Sequence, residues 1–177
     1  VTRLEGFSDA VFGFAITLLV VSLEVPGSFD ELLVAFRGLP VFAITFAILL
    51  MMWQEHHHYF RRYGLQDGPT IWLHGALLFV VMAYIYPLKF LFGLIAGPSG
   101  MMLGAASSMI RLHQVVQLML IYGVGFATIF LILAAMYWRA ARLGSRIDLD
   151  ARGIAEAHVG VGHCLVYVAI AALSMVV

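Results

Sequence analysis

This sequence predicts an all-α bundle of membrane-spanning helices, and three observations predict it. Of its 177 residues, 63% are hydrophobic and 11% charged, whereas soluble domains carry about 25% charged residues. The mean hydropathy is +0.99. The apolar residues also gather into five segments, 6–25, 40–60, 70–96, 114–138 and 154–177. Each is near or above the roughly 17–25 residues that a helical span needs. Residues 1–177 therefore read as a single polytopic transmembrane domain, with no large soluble domain, low-complexity tract or internal repeat.

Composition also excludes function classes. Ten basic and ten acidic residues cancel, which removes the electrostatic footprint of a nucleic-acid binder. Cys164 is the only cysteine, so neither an intrachain disulfide nor a cysteine-based zinc site is available. Glu5 and Asp9 spoil a basic leader region and no small-x-small cleavage site follows, so the first span is not read as a signal peptide. Both ends, Val1 and Val177, look trimmed. No Ser-His-Asp set, glycine-rich phosphate loop or His-Glu-x-x-His motif is present, leaving enzyme chemistry without support.

The first span, "RLEGFSDAVFGFAITLLVVSLEVP" (3–26), has only 14 uncharged residues between Asp9 and Glu24. At 1.5 Å per residue these cover about 21 Å, less than the roughly 30 Å of a bilayer's hydrocarbon core. Asp9 is thus expected below the membrane surface, where a carboxylate is costly and needs a partner. At about 100° per residue, Phe7, Val11, Phe14, Leu18, Val21 and Val25 share a bulky apolar line. Gly6, Ala10, Gly13 and Thr17 form a flank of small residues, of the kind that lets helix backbones approach closely. Asp9 points almost opposite to Phe7. By pattern alone the bulky line fits lipid, bundle core or a pore lining.

"SFDE" (28–31) is a capping box expected to open a short helix to about Phe36. With Glu24, Asp30 and Glu31 against Arg37, this outer loop carries net −2, either a solvated cap or an acidic mouth that concentrates cations. Gly38-Leu39-Pro40 is expected to break the chain, with Pro40 in the first turn of the second span. That span exits at "WQEHHHYFRR" (53–62). After the turn "YGLQDGP" (63–69), the third span enters at "TIWLH" (70–74). Trp53, His56, His57, His58, Trp72 and His74 thus share the inner-leaflet depth of Ser8 and Asp9. A histidine or indole N–H reaching Asp9 would pin the first helix to the second and third and leave its apolar face looking outward. The rival role for Asp9 is a proton-relay carboxylate.

"GPSGMMLGAASS" (97–108) reads as a flexible loop. In the fourth span, "YGVGF" (122–126) superficially resembles a potassium filter, but it sits mid-span without a pore helix or leading threonine, and glycines for helix packing explain it better. The polar run 142–153 precedes the fifth span. There Glu156, His158 and His163 suit interhelical hydrogen bonding better than a proton site, and adjacent His56, His57 and His58 diverge too far for a metal. A cytoplasmic N-terminus puts Arg3, Arg61, Arg62, Arg139, Arg142, Arg146 and Arg152 inside, seven of ten basic residues, as the positive-inside rule favours. Five spans would leave the C-terminus outside, and a sixth, beyond this chain, is expected to return it.

The pattern Arg3-x-x-x-Phe7-Ser8-Asp9 resembles the motif that opens the first helix of the transmembrane protein 175 family of potassium channels. Trp53, His56, His57 and Phe60 match a supporting motif, and Trp72-Leu73-His74 through Pro87 another, with His74 where asparagine is usual. The resemblance covers most of the chain in order and spacing. It implies a bacterial inner-membrane protein with six helices per repeat, assembled as a homotetramer around a pore lined by the first helix, without a Thr-Val-Gly-Tyr-Gly filter. Carried over by position, the constriction falls on Phe14, where an aliphatic residue is usual, the threonine layer on Thr17, and further layers on Leu18 and Val21. Arg3, Phe7, Ser8, Asp9, Trp53, His56, His57, Trp72 and His74 form the motif and interhelical clamp. The function this implies is passive, potassium-permeable conduction through a hydrophobic gate, with monovalent cations and the lipid bilayer as partners and no cofactor or metal. The alternative is a proton-coupled transporter or proton leak using Asp9 and the histidines.

Overall fold

The structure, a computed structural model, describes residues 3–21, 26–96, 112–144 and 149–176. Five helices carry these residues: α1 (Arg3–Val21), α2 (Phe29–Tyr63), α3 (Gly68–Ala96), α4 (Leu112–Leu143) and α5 (Ala151–Val176). Four of them are long and apolar enough to cross a membrane, over Arg3–Val21, Gly68–Leu88, Val116–Leu143 and Ala151–Met175. The loop expected at 97–108, Glu24, Arg111 and Arg146 lie outside the described residues.

α2 corrects one expectation. Ser28 caps it, with extended backbone (φ −143°, ψ 162°) and a hydroxyl that accepts from the Glu31 amide at 3.3 Å. Glu31 in turn reaches back to the Gly27 amide at 2.7 Å. The helix then runs through Pro40 without the break expected at Gly38-Leu39-Pro40. Proline at position 40 removes only the bond to the Phe36 carbonyl, and the rest of a 35-residue helix outweighs one missing bond. At 1.5 Å per residue α2 is about 52 Å long, longer than the roughly 30 Å hydrocarbon core of a bilayer. It stops at Gly64, whose φ of 56° places it in the left-handed region that glycine occupies freely, with its N–H bonded to the Phe60 carbonyl at 3.1 Å.

α1 packs on α2 and α3, α3 packs on α4, and α4 and α5 form the most extensive pair. Phe12, Leu19, Met52, Tyr59, Leu77, Val81, Phe130 and Tyr137 belong to the buried core that joins them. Glycines set the close approaches: a Cβ on Gly125 would lie 2.5 Å from the Tyr84 ring, and one on Gly160 2.7 Å from Tyr137. "YGVGF" is thus a helical packing segment of α4. At the basic end, Arg62 bonds Glu156 at 2.9 Å, Arg152 bonds Glu156 at 3.1 Å and Asp150 caps α5 through the Gly153 amide at 2.8 Å.

Candidate functional site

α1 is held from one side only. Ser8, Phe12, Ala15 and Leu19 are buried, and helical geometry puts the four within an arc of about 60°. Away from them, Phe7 is 60% exposed, Phe14 57% and Val21 71%, and Gly6, Ala10, Gly13 and Thr17 are exposed with them. Val11 and Leu18 are half-buried at the edge. The uncovered face is therefore turned from the bulky line toward the small flank. Its cause is Ser8, which takes the innermost position that sequence reasoning gave to Asp9.

The rear of α1 is bonded in two layers. In the first, Glu5 and Asp9, one turn apart on α1, meet His57 and Trp53, one turn apart on α2. The Trp53 indole N–H donates to Asp9 Oδ1 at 2.8 Å, and the indole stacks on the His57 ring at 5.1 Å between centroids. His57 Nδ1 lies 3.9 Å from Glu5 Oε1. The second layer is more deeply buried. Ser8 donates to the Leu4 carbonyl at 2.6 Å and hydrogen-bonds His74 Nε2. His74 Nδ1 lies 3.1 Å from His56 Nε2. Phe60 seats both imidazoles, at 4.8 Å from His56 and edge-on at 4.9 Å from His74. The three consecutive histidines of α2 thus diverge: His56 toward α3, His57 toward α1, His58 to the exterior.

Three residues grouped with the clamp lie outside these layers. Trp72 is 82% exposed, because it stands about 200° from His74 around α3 and His74 takes the inward face. Phe7 is turned out by the same geometry beside Ser8, and Arg3 is exposed at the start of α1. Thr17 turns its hydroxyl onto the Gly13 carbonyl at 2.8 Å. Asp30 and Glu31 are exposed at the opposite end of the molecule. Among the described residues no three His, Cys, Asp or Glu side chains converge as metal ligands.

Sequence reasoning missed a second fastening. Asp67 accepts from the Thr70 hydroxyl at 2.6 Å and from Arg139 of α4, which also reaches Thr70 Oγ1 at 3.3 Å. Partial burial works against the carboxylate, but the hydrogen bonds from Thr70 and Arg139 outweigh it and hold Asp67 below its usual range. Asp-x-x-Thr is legible as a helix cap; the Arg139 partner, 72 residues on, has no local signal.

Chemically, the arrangement is a helix whose rear is fastened by hydrogen bonds and whose front, from Gly6 to Val21, offers aromatic, aliphatic and small side chains. Such a front is satisfied by lipid or by other protein, and its glycines and alanine admit a close neighbour.

Comparison with known proteins shows what the chain is similar to. Residues 3–84 match the family described as endosomal/lysosomal potassium channel TMEM175. A potassium channel of Marivirga tractuosa is 38% identical over 182 residues, covering 99% of this chain and 74% of the relative. One of Streptomyces collinus is 26% identical over 152 residues, covering 82% and 67%. The fold matches the crystal structure of a variant of the potassium channel MtTMEM175 bound to a nanobody–MBP fusion, with a TM-score of 0.85 at 38% identity over 99% of this chain and 78% of that one. It also matches the crystal structure of a homolog, from Chamaesiphon minutus, of the lysosomal potassium-selective channel TMEM175, with a TM-score of 0.64 at 26% identity over 98% of this chain and 87% of that one.

Proposed function

This chain belongs to the TMEM175 family of potassium channels, and from that membership we propose that it is itself a passive, potassium-permeable channel. Four copies assemble around a common axis, each contributing α1 to the pore wall. The observation that carries this reading is the asymmetry of α1. Its Ser8–Phe12–Ala15–Leu19 side is committed to its own subunit, while the side bearing Phe14, Thr17 and Val21 is uncovered.

Around a fourfold axis, Phe14 forms the first apolar constriction, Thr17 a hydroxyl layer, and Leu18 and Val21 further rings. A narrow apolar tube loses its water, and an ion entering it must shed hydration without replacement, so the rings gate by dewetting. Opening requires the four α1 helices to separate or rotate. No Thr-Val-Gly-Tyr-Gly filter takes part, and conduction needs no cofactor. Exposed Asp30 and Glu31 stand at the outer mouth, where negative charge raises the local cation concentration. The protein sits in the bacterial inner membrane with its N-terminus in the cytoplasm, the orientation the arginines favour. The proton-coupled alternative has less support, because Asp9 is already engaged by Trp53.

The test is ion flux from proteoliposomes together with the reversal potential under bi-ionic potassium and sodium. The reading expects flux that follows the potassium gradient with no proton gradient present. Flux that requires or generates a proton gradient would overturn it, as would a lone protomer in the bilayer.

A further inference from the structure

The two histidines behind Ser8 hold a defined set of protons. The Ser8 hydroxyl has one hydrogen, and the Leu4 carbonyl at 2.6 Å takes it, because two oxygens that close repel unless a proton lies between them. Ser8 can then only accept from His74 Nε2, which makes His74 the Nε2–H tautomer with a bare Nδ1. That Nδ1 lies 3.1 Å from His56 Nε2, so His56 must donate there. Its own Nδ1 is left bare, buried and without a hydrogen-bond partner. The direction of every bond in the chain His56 to His74 to Ser8 to Leu4 is fixed.

We propose that His56 is a positioning residue for the pore helix: it locks His74 in the Nε2–H tautomer, and through Ser8 it sets the rotation of α1. The relay keeps this bond order only while His74 Nδ1 carries no proton. This rests on the reading of α1 as the pore wall, but the tautomers themselves do not.

A proton added to His74 Nδ1 sets N–H against N–H and breaks the contact with His56. One added to His56 Nδ1 creates a buried cation beside the rings of Phe12 and Phe60, an environment that penalises charge. The carboxylates on neighbouring turns are engaged elsewhere. On α1, Asp9 accepts from Trp53 and Glu5 lies toward His57. On α2, Glu55 faces the Tyr137 hydroxyl of α4 at 3.4 Å, while His57 turns away to Trp53 and Glu5. Acid therefore breaks the His56–His74 contact behind Ser8 and loosens the support that sets the rotation of α1, while His74 Nε2–H stays on Ser8.

The direct test is nitrogen NMR of protein carrying 15N-labelled histidine, reconstituted in lipid at neutral pH. The expected spectrum shows two of the seven histidines as Nε2–H tautomers joined by a nitrogen–nitrogen coupling through their hydrogen bond. Absence of that coupled pair, or an Nδ1–H form for its accepting member, overturns the relay even in a protein that conducts no ion, so the two readings fail separately. The second measurement is potassium flux. Loss of the coupling on acidification should share a midpoint with a reversible change in flux. His56→Leu should alter neutral-pH flux by about fivefold, the scale of one lost buried hydrogen bond. His56→Gln, which keeps a donor near the Nε2 position, should restore most of that difference. Equal flux from the Leu and Gln variants would remove the positioning role.

Discussion

The indole N–H of Trp53 points at the Asp9 carboxylate across the contact between α1 and α2, 2.8 Å away. A carboxylate at this depth has few ways to be satisfied, and an indole is a donor with no acceptor function to compete for it. The same indole lies flat on His57, so its orientation is held by stacking as well as by the bond.

Trp53→Phe keeps the stacking ring and deletes the donor. Stability should fall by about 1.5–3 kcal/mol, the range for a hydrogen bond to a charged group, as read by thermal unfolding of the solubilised protein. Asp9→Asn retains an oxygen acceptor and should cost less than half as much. A Trp53→Phe protein as stable as the parent would mean that Asp9 finds water or another donor without loss.

The depth argument could be made from sequence because charge is rare in this chain: Asp9, the Trp53–His57 segment and His74 had to share one membrane level once the spans were drawn. Which residue faced inward was harder. Ser8 and Asp9 differ by about 100° around the helix, and choosing between them needs the position of His74, set by packing 66 residues away. Pro40 misled for a related reason: a local breaker is read correctly as local chemistry, but tertiary contacts and helix length decide whether the helix stops. The Asp67–Arg139 pair was invisible because periodicity says nothing about which polar ends meet.

The proposed gate residues are those on or beside the uncovered face. Phe14→Ala removes the largest ring facing the proposed axis and should raise basal potassium flux about tenfold or more, since a wider constriction wets more readily. Leu18→Ser should have a smaller effect, because Leu18 is half-buried at the edge of that face. Liposome flux at neutral pH without an activating stimulus gives both values. Unchanged flux from both would place the pore elsewhere.

Asp67 predicts an acid limb in stability. Its carboxyl is held below the ordinary value of 3.8 by Thr70 and Arg139 against the opposing effect of burial. A depressed carboxylate stabilises the folded state fully above its unfolded value, and that contribution is lost as pH falls through the folded one. Unfolding temperature should therefore decline below about pH 3.8 partly through this group. Asp67→Asn should flatten that decline, while Arg139→Ala should cost about 1 kcal/mol at neutral pH, a modest figure for a part-exposed pair. Identical acid profiles in parent and Asp67→Asn proteins would remove the assignment.

Glycine substitutions separate packing from mere helix propensity. At Gly125 a methyl group would meet the Tyr84 ring at 2.5 Å. That ring is buried, and its hydroxyl donates to the Tyr122 carbonyl at 3.2 Å, so it has little freedom to withdraw. Gly125→Ala should therefore destabilise by about 1–3 kcal/mol, the usual penalty of overpacking, despite alanine's better helix propensity. At Gly123 the obstacle is Met175, an unbranched side chain that repacks readily, and the cost should be smaller. Gly162 has nothing within 4 Å of an added Cβ, so Gly162→Ala should be neutral or stabilising by up to about 1 kcal/mol. Thermal unfolding of the three variants ranks them directly, and a Gly125 variant as stable as the Gly162 one would show that α3 and α4 do not approach as closely as the Tyr84 contact requires.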